Sequence, residues 1–366
     1  MTTNYDLVIL GLSLSSSWGN GHATTFRALI GGLHEQGRQV LFLERDVPWY
    51  AANRDLPDPD FCTLAYYDGI DDLLARFTPE LQSSTAVIIG SYVPQGVEVI
   101  DALDRLELAQ LCFYDIDTPV TLAKLERGDE EYLARRQVPL FDTYFSFSGG
   151  PVLARLEAQF GARSAQALYC SVDASRYGPT GEPHVWDLGY LGTYSPDRQP
   201  TLERLLIEPA RRLPHRRFVA AGPQYPDDIE WPANIDRVAH LPPSEHRSFY
   251  NRQRFTLNVT RADMIAAGWS PSVRLFEAAA CGTPVISDMW EGIESLFPRD
   301  EAIILARDTE DVIAALETVT SAERNAIAAA ARGRVLAHHS STARSAELIV
   351  MLGLHEQTMR LSGQRG

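Results

Sequence analysis

The chain has 366 residues, 45% hydrophobic and 22% charged, with a net charge of −15. That length supports two apolar cores, and the acidic balance argues against a polyanionic partner such as duplex nucleic acid while leaving room for a small anion at a local basic patch. Cys62, Cys112, Cys170 and Cys281 are scattered with no C-x-x-C pair, which excludes a disulfide framework and a cysteine zinc site and fits a reducing cytoplasm.

Residues 5–11 form a buried-type strand, 12–21 a Ser- and Gly-rich loop, 22–35 a helix and 39–43 a strand, together a β-loop-α-β unit. Strand runs follow at 86–89, 111–114, 143–147 and 167–169, separated by helical or polar segments, so a mostly parallel sheet is expected. A stretch rich in Ser, Gly, Pro and Asp at 171–183 breaks the pattern and marks a linker. Strands resume at 187–191, 217–221, 237–239, 255–259, 284–287 and 303–305, which predicts a second Rossmann-like domain. The tail, 310–361, is expected to be helical throughout. The domain bounds expected are 1–172, 184–338 and a terminal helical piece, 339–366. No signal segment opens the chain and no apolar run approaches the roughly 20 residues that span a bilayer.

Open α/β sheets bind ligands at the carboxyl ends of their strands, so the segments leaving each strand carry the candidate chemistry. After the first strand, Gly19 and Gly21 permit close backbone approach, and His22 opens the helix as a proton carrier, a phosphate donor, or a packing and capping residue. Asp115 and Asp117 alternate at another strand exit. They suit a D-x-D metal pair, an acceptor-orienting carboxylate or general base, or, for Asp117, a helix cap. Gly192 begins a third loop that ends in Arg198, and Gly222 begins a fourth. Arg261 and Arg274 are further cations near strand and helix ends, each equally explained by a surface salt bridge. Residues 270–288 predict a helix that ends at Gly282-Thr283-Pro284 and passes into a strand. Arg274 and Glu277 share a face of that helix, and its alanines let it approach a sheet closely. A cation and a carboxylate so placed suit phosphate and ribose. The loop 46–60 offers Trp49 and Tyr50, which either stack on a sugar or fill a local core.

The run from Phe276 to Asp288 resembles the donor-site segment of GT-B glycosyltransferases, the glycogen-synthase-like superfamily: a Glu, small residues, then Gly-x-Pro and a strand. With its preceding Ser-x-Ser-x-Arg-x-Phe-Glu form, it is most similar to the CgeB-like (spore-maturation-protein-like) members. The resemblance implies the GT-B fold, two Rossmann-like domains facing across a cleft, with a C-terminal helix crossing back to the first. It implies an acceptor domain followed by a donor domain, and transfer of a hexosyl group from a nucleotide diphosphate sugar to an acceptor hydroxyl. Retention of configuration goes with this branch. No metal and no cofactor are implied, since GT-B members neutralise the diphosphate with helix dipoles and basic side chains. By resemblance Glu277 contacts ribose, Arg198 faces the diphosphate, the Gly222 loop seats the base, and the loop of Gly19 and Gly21 abuts the donor phosphates and the acceptor. Trp269 stands where many members carry a second Glu near the donor sugar, and Thr193 where an Arg is common. Two alternatives stay open: a sugar-nucleotide 2-epimerase of the same fold, and a noncatalytic sugar-nucleotide-binding protein.

Overall fold

Short apolar runs alternating with helices become two all-parallel sheets, seen in a computed structural model that describes residues 5–18 and 21–354. The contacts divide the chain into two units. Unit 1 holds the residues up to Ser171 together with those from Ser341, and unit 2 holds Val172–Ser340.

Unit 1 contains β1 (Leu7–Gly11), β2 (Val40–Arg45), β3 (Thr63–Tyr67), β4 (Ala86–Gly90), β5 (Leu111–Asp115), β6 (Thr143–Ser146) and β7 (Ala165–Ala167), in the order β3-β2-β1-β4-β5-β6-β7. Leu7 pairs with Val40 on one side and Ala86 on the other, so the strand order reverses between β1 and β4. β1 and β4 are buried along their whole length, as expected of parallel strands covered on both faces. β3 was not expected from the sequence: as an edge strand, with only Tyr67 buried, it lacks a continuous apolar run. β7 lies two residues earlier than expected and is only three residues long.

Unit 2 repeats the plan with β8 (Trp186–Leu191), β9 (Phe218–Ala221), β10 (Ile235–Val238), β11 (Gln253–Asn258), β12 (Val285–Ser287) and β13 (Ile304–Leu305), in the order β10-β9-β8-β11-β12-β13. Its order reverses between β8 and β11. The unit begins and ends beside itself, because Val172 and Ser340 form a parallel bridge in which Val172 N donates to His339 O at 3.0 Å.

The tail is helical, in three pieces, Thr309–Thr318, Ser321–His338 and Ser341–Met351, and the part of the expected helix beyond Leu354 lies outside the described residues. The breaks are capped. Asp308 accepts from Asp311 N at 3.0 Å. Thr320 and Glu323 exchange bonds, Glu323 N donating to the Thr320 hydroxyl (3.2 Å) and Thr320 N to the Glu323 carboxylate (2.9 Å). The last helix belongs to unit 1, where Leu348, Ile349 and Leu352 join Leu29, Ile30 and Leu33 in one core. Gly32 makes the approach possible: a Cβ there would sit 2.3 Å from Ser341 O.

Candidate functional site

In unit 2, two backbone loops touch at the carboxyl ends of β8 and β9. Gly222 has φ +142, and a Cβ on it would lie 2.0 Å from Gly192 O, so only glycine fits. Gly192 N donates to Ala221 O (2.9 Å), and the Tyr225 hydroxyl donates to Gly192 O (3.1 Å). A Cβ on Gly192 would stand 2.4 Å from the Tyr190 hydroxyl oxygen and 3.0 Å from Arg274 Nη2. The arginine thus reaches the floor of the loop.

Arg274 is held there by Asn258, whose Oδ1 accepts from Arg274 Nη1 (3.0 Å) and from the Ser272 hydroxyl (2.9 Å), while its Nδ2 donates to Thr260 Oγ1 (3.1 Å) and Ser287 Oγ (2.9 Å). Thr260 in turn donates to Asp288 from both N and Oγ1, each at 2.8 Å. Arg198 donates from Nη2 to Thr193 O (2.6 Å), and its Nε is buried with no partner among the described residues. Burial, and then the charges of Arg274 and Arg261, pull the Arg198 guanidinium below its ordinary value. Arg198, Arg261 and Arg274 therefore gather in one place. Asp197 ties their loops together by accepting from Ala262 N (2.9 Å), and Arg261 and Arg198 help hold its carboxyl low against burial. Asp288 also lies close, its carboxyl pushed up by burial. The three cations so gathered suit an anionic ligand.

Glu277 sits on the helix Val273–Ala280 and is only 4% exposed. The Tyr250 hydroxyl donates to its Oε2 (3.1 Å), and His246 Nδ1 stands 3.8 Å from the same atom. Burial works to raise the Glu277 carboxyl, but His246, Tyr177 and Tyr250 together outweigh it and hold the group low. Trp269, reached through Gly268 (φ +65), has φ +40 and donates its N to Glu291 O at 2.7 Å.

In unit 1 the loop after β1 is keyed to the end of β2. Glu44, 0% exposed, accepts from Ser13 Oγ (3.1 Å), Leu14 N (2.7 Å), Ser15 N (2.9 Å) and Ser15 Oγ (2.6 Å). Gly19 lies outside the described residues. Gly21 departs from expectation: its φ is −79 and a Cβ would meet nothing within 4 Å, so its backbone does not require glycine. His22 follows, 8% exposed, with Nε2 3.8 Å from Asp117 Oδ2 and Nδ1 buried without a partner among the described residues. The Tyr92 ring meets it edge-on at 5.3 Å, from a backbone with φ +63. Asp117 precedes the helix Thr118–Glu126 without a side-chain cap bond, so the expected capping role gives way to an orientation toward His22.

Asp115 is turned the other way. It is 0% exposed, accepts from the Tyr144 hydroxyl (2.6 Å), Thr121 Oγ1 (2.7 Å) and Asp117 N (3.2 Å), and burial pushes its carboxyl up to about 6. The two carboxylates of the D-x-D pair therefore point to different partners. Both Asp115 oxygens are thus engaged inside the unit, unlike the half-buried carboxylate of Asp117.

Residues 198–350 match the model of a family described as glycosyl transferase-like. No curated protein matches the chain by sequence. By structure it is similar to a sucrose-phosphate synthase from Thermosynechococcus elongatus, with 14% identity, a TM-score of 0.69, and 97% of this chain and 100% of that one covered. It is also similar to Anabaena HepE in complex with UDP and glucose (12% identity, TM-score 0.65, 94% and 99% covered) and to an α-glucosyltransferase in complex with UDP (12%, 0.67, 95% and 99%). The chain has the GT-B fold, and residues 198–350 carry the likeness to that family. Several residues on this GT-B scaffold escaped the sequence reading: Glu44, Tyr92, Asn258 and Asp288. Three of them have a common signal, a polar side chain at the end of an apolar strand run, where burial demands partners. Tyr92 has no such signal, since its left-handed backbone is set by the turn after β4.

Proposed function

We propose that this glycosyltransferase, nearest the CgeB-like members, moves a hexosyl group from a nucleotide diphosphate sugar to an acceptor hydroxyl. The observation that carries the reading is the gathering of Arg198, Arg261 and Arg274 beside the Gly192 loop. Fixed cations aimed at the diphosphate stabilise the charge that builds on the leaving group as the glycosidic bond breaks, the task a metal ion performs elsewhere. Solved structures of similar fold hold UDP or UDP-glucose, which supports a nucleoside diphosphate donor. Unit 2 is the donor half in this reading: Glu277 takes the ribose hydroxyls, Gly192 and Gly222 bring backbone close to the phosphates, and the Gly222 loop seats the base. Unit 1 is the acceptor half, with His22 following its first loop.

Resemblance points to retention of configuration. The His22–Asp117 pair favours a second reading, inversion, because a single displacement needs a base to take the acceptor proton, and the Asp117 carboxylate, 27% exposed and 3.8 Å from His22 Nε2, is suited to that. The anomeric coupling constant of the product by proton NMR decides between them. Among the described residues no helix is long and apolar enough to cross a membrane. We place the protein in a reducing cytoplasm on the scattered spacing of its four cysteines. The test of the whole is incubation with a panel of nucleotide sugars, followed by mass spectrometry with and without acceptors. Transfer predicts nucleotide release with a glycosylated product. Release of an altered sugar without acceptor turns the reading to a 2-epimerase, and binding without consumption turns it to a noncatalytic binder.

A further inference from the structure

Trp49 and Trp18 are 63% and 51% exposed, unusual for side chains that ordinarily bury most of their area. They follow β2 and β1, neighbours in the sheet, so both stand at its carboxyl end. Their backbones are stitched together: the Ser16 hydroxyl accepts from Trp18 N (3.3 Å) and donates to Asn53 O (2.8 Å), and Asn53 Nδ2 donates to Trp49 O (2.8 Å).

The two segments beneath are locked as firmly. Asp55 N and Leu56 N both donate to Ser15 O, at 3.0 and 2.9 Å, while Ser15 is fixed by Glu44. Arg27 grips Asp55 with two bonds, of 3.0 and 2.8 Å, and also donates to Leu14 O at 2.9 Å. Arg54 is committed to Asp46 at 2.7 Å and lies over the Tyr66 ring at 3.8 Å. The indoles are thus mounted on a rigid base, where stacking a ligand costs little ordering entropy.

The rim selects the occupant. Asp46, Asp55, Asp58 and Asp60 are exposed, and the two arginines of the base are already paired with Asp46 and Asp55. An anionic glycan, a polyphosphate or an anionic bilayer would meet Asp58 and Asp60, which have no cation partner among the described residues. A neutral pyranose presents C–H faces to an indole and hydroxyl donors to carboxylates. We propose that Trp49 and Trp18 form a stacking platform for the neutral pyranose rings of a glycan, which rests on the transferase reading only in calling that glycan the acceptor.

The test is binding without donor. The full chain is applied to a printed array of neutral hexasaccharides (malto-, cello-, chito- and manno-series) and acidic ones (hyaluronan, polygalacturonate), and separately to vesicles of phosphatidylcholine or phosphatidylglycerol. At least one neutral series should be retained and quench tryptophan fluorescence, and Trp49→Ala and Trp18→Ala should each weaken that binding by about tenfold. Circular dichroism and UDP affinity should stay unchanged in both variants. Retention of no neutral series, binding that survives both substitutions, or preference for acidic glycans or vesicles would overturn the platform. Glycan binding with no UDP binding supports the platform while removing the donor reading, so the two failures are distinguishable.

Discussion

At the scale of single residues, the most consequential contrast is between Asp115 and Arg198, each a buried or half-buried charge with a different means of support. Asp115 is raised from 3.8 to about 6 by burial. A carboxyl raised in the folded state binds protons that the unfolded chain has released, so its stabilisation is complete below about pH 4 and is lost as pH rises through about 6. The shift corresponds to about 3 kcal/mol. Asp115→Asn should therefore remove a downward step between about pH 4 and pH 7 from the urea-unfolding free energy, and a wild-type-shaped profile would contradict the assignment. Arg198 is held by one carbonyl, is repelled by two arginines and keeps its Nε buried without a partner among the described residues, so an anionic ligand would relieve it. Arg198→Ala should cut kcat at saturating donor by about 100-fold, and wild-type turnover would remove it from the site. Glu277→Gln keeps the volume beside Tyr250 and His246 but not the charge. It should raise the UDP Kd by about tenfold in calorimetry while changing kcat much less, and an unchanged Kd would count against the ribose role.

At the scale of elements, the contact between the helices His22–Glu35 and Ser341–Met351 hinges on one missing side chain. A Cβ on Gly32 would meet Ser341 O at 2.3 Å and Ser345 Oγ at 2.7 Å, and the first of these is backbone that cannot rotate away. Gly32→Ala should therefore cost about 1–3 kcal/mol despite the higher helix propensity of alanine, read as a lowered urea midpoint. Nothing local in the sequence marks Gly32, because the clash involves residues more than three hundred positions away. The elements that were legible share a simple physics: β1, β4 and β5 are covered on both faces and so read as unbroken apolar runs. β3 was missed because an edge strand need not be apolar. The break at Val319–Thr320 was missed although Thr320 and Glu323 spell a capping box, since the alanine-rich flanks on both sides favour helix equally well.

At the scale of the whole molecule, the alternation of strand and helix was enough to give two parallel-sheet units, because connection rules leave few other ways to arrange them. The candidate site was legible in kind but not in arrangement. Arg198, Arg261 and Arg274 were each identifiable as cations near strand ends, yet their company depends on β8, β11 and β12 lying side by side. The Glu44 keystone was invisible for a similar reason: its four donors come from a loop about thirty residues earlier, and only the fold supplies them.

The Val172–Ser340 bridge gives unit 2 the topology of a guest inserted into a host. The chain leaves unit 1 once and comes back once. The guest's own ends lie together, a geometry that favours transplantation. A cassette of residues 172–340, expressed alone, should fold cooperatively and retain the affinity of the parent chain for UDP. A cassette that melts without a transition would show that the host is needed to complete it.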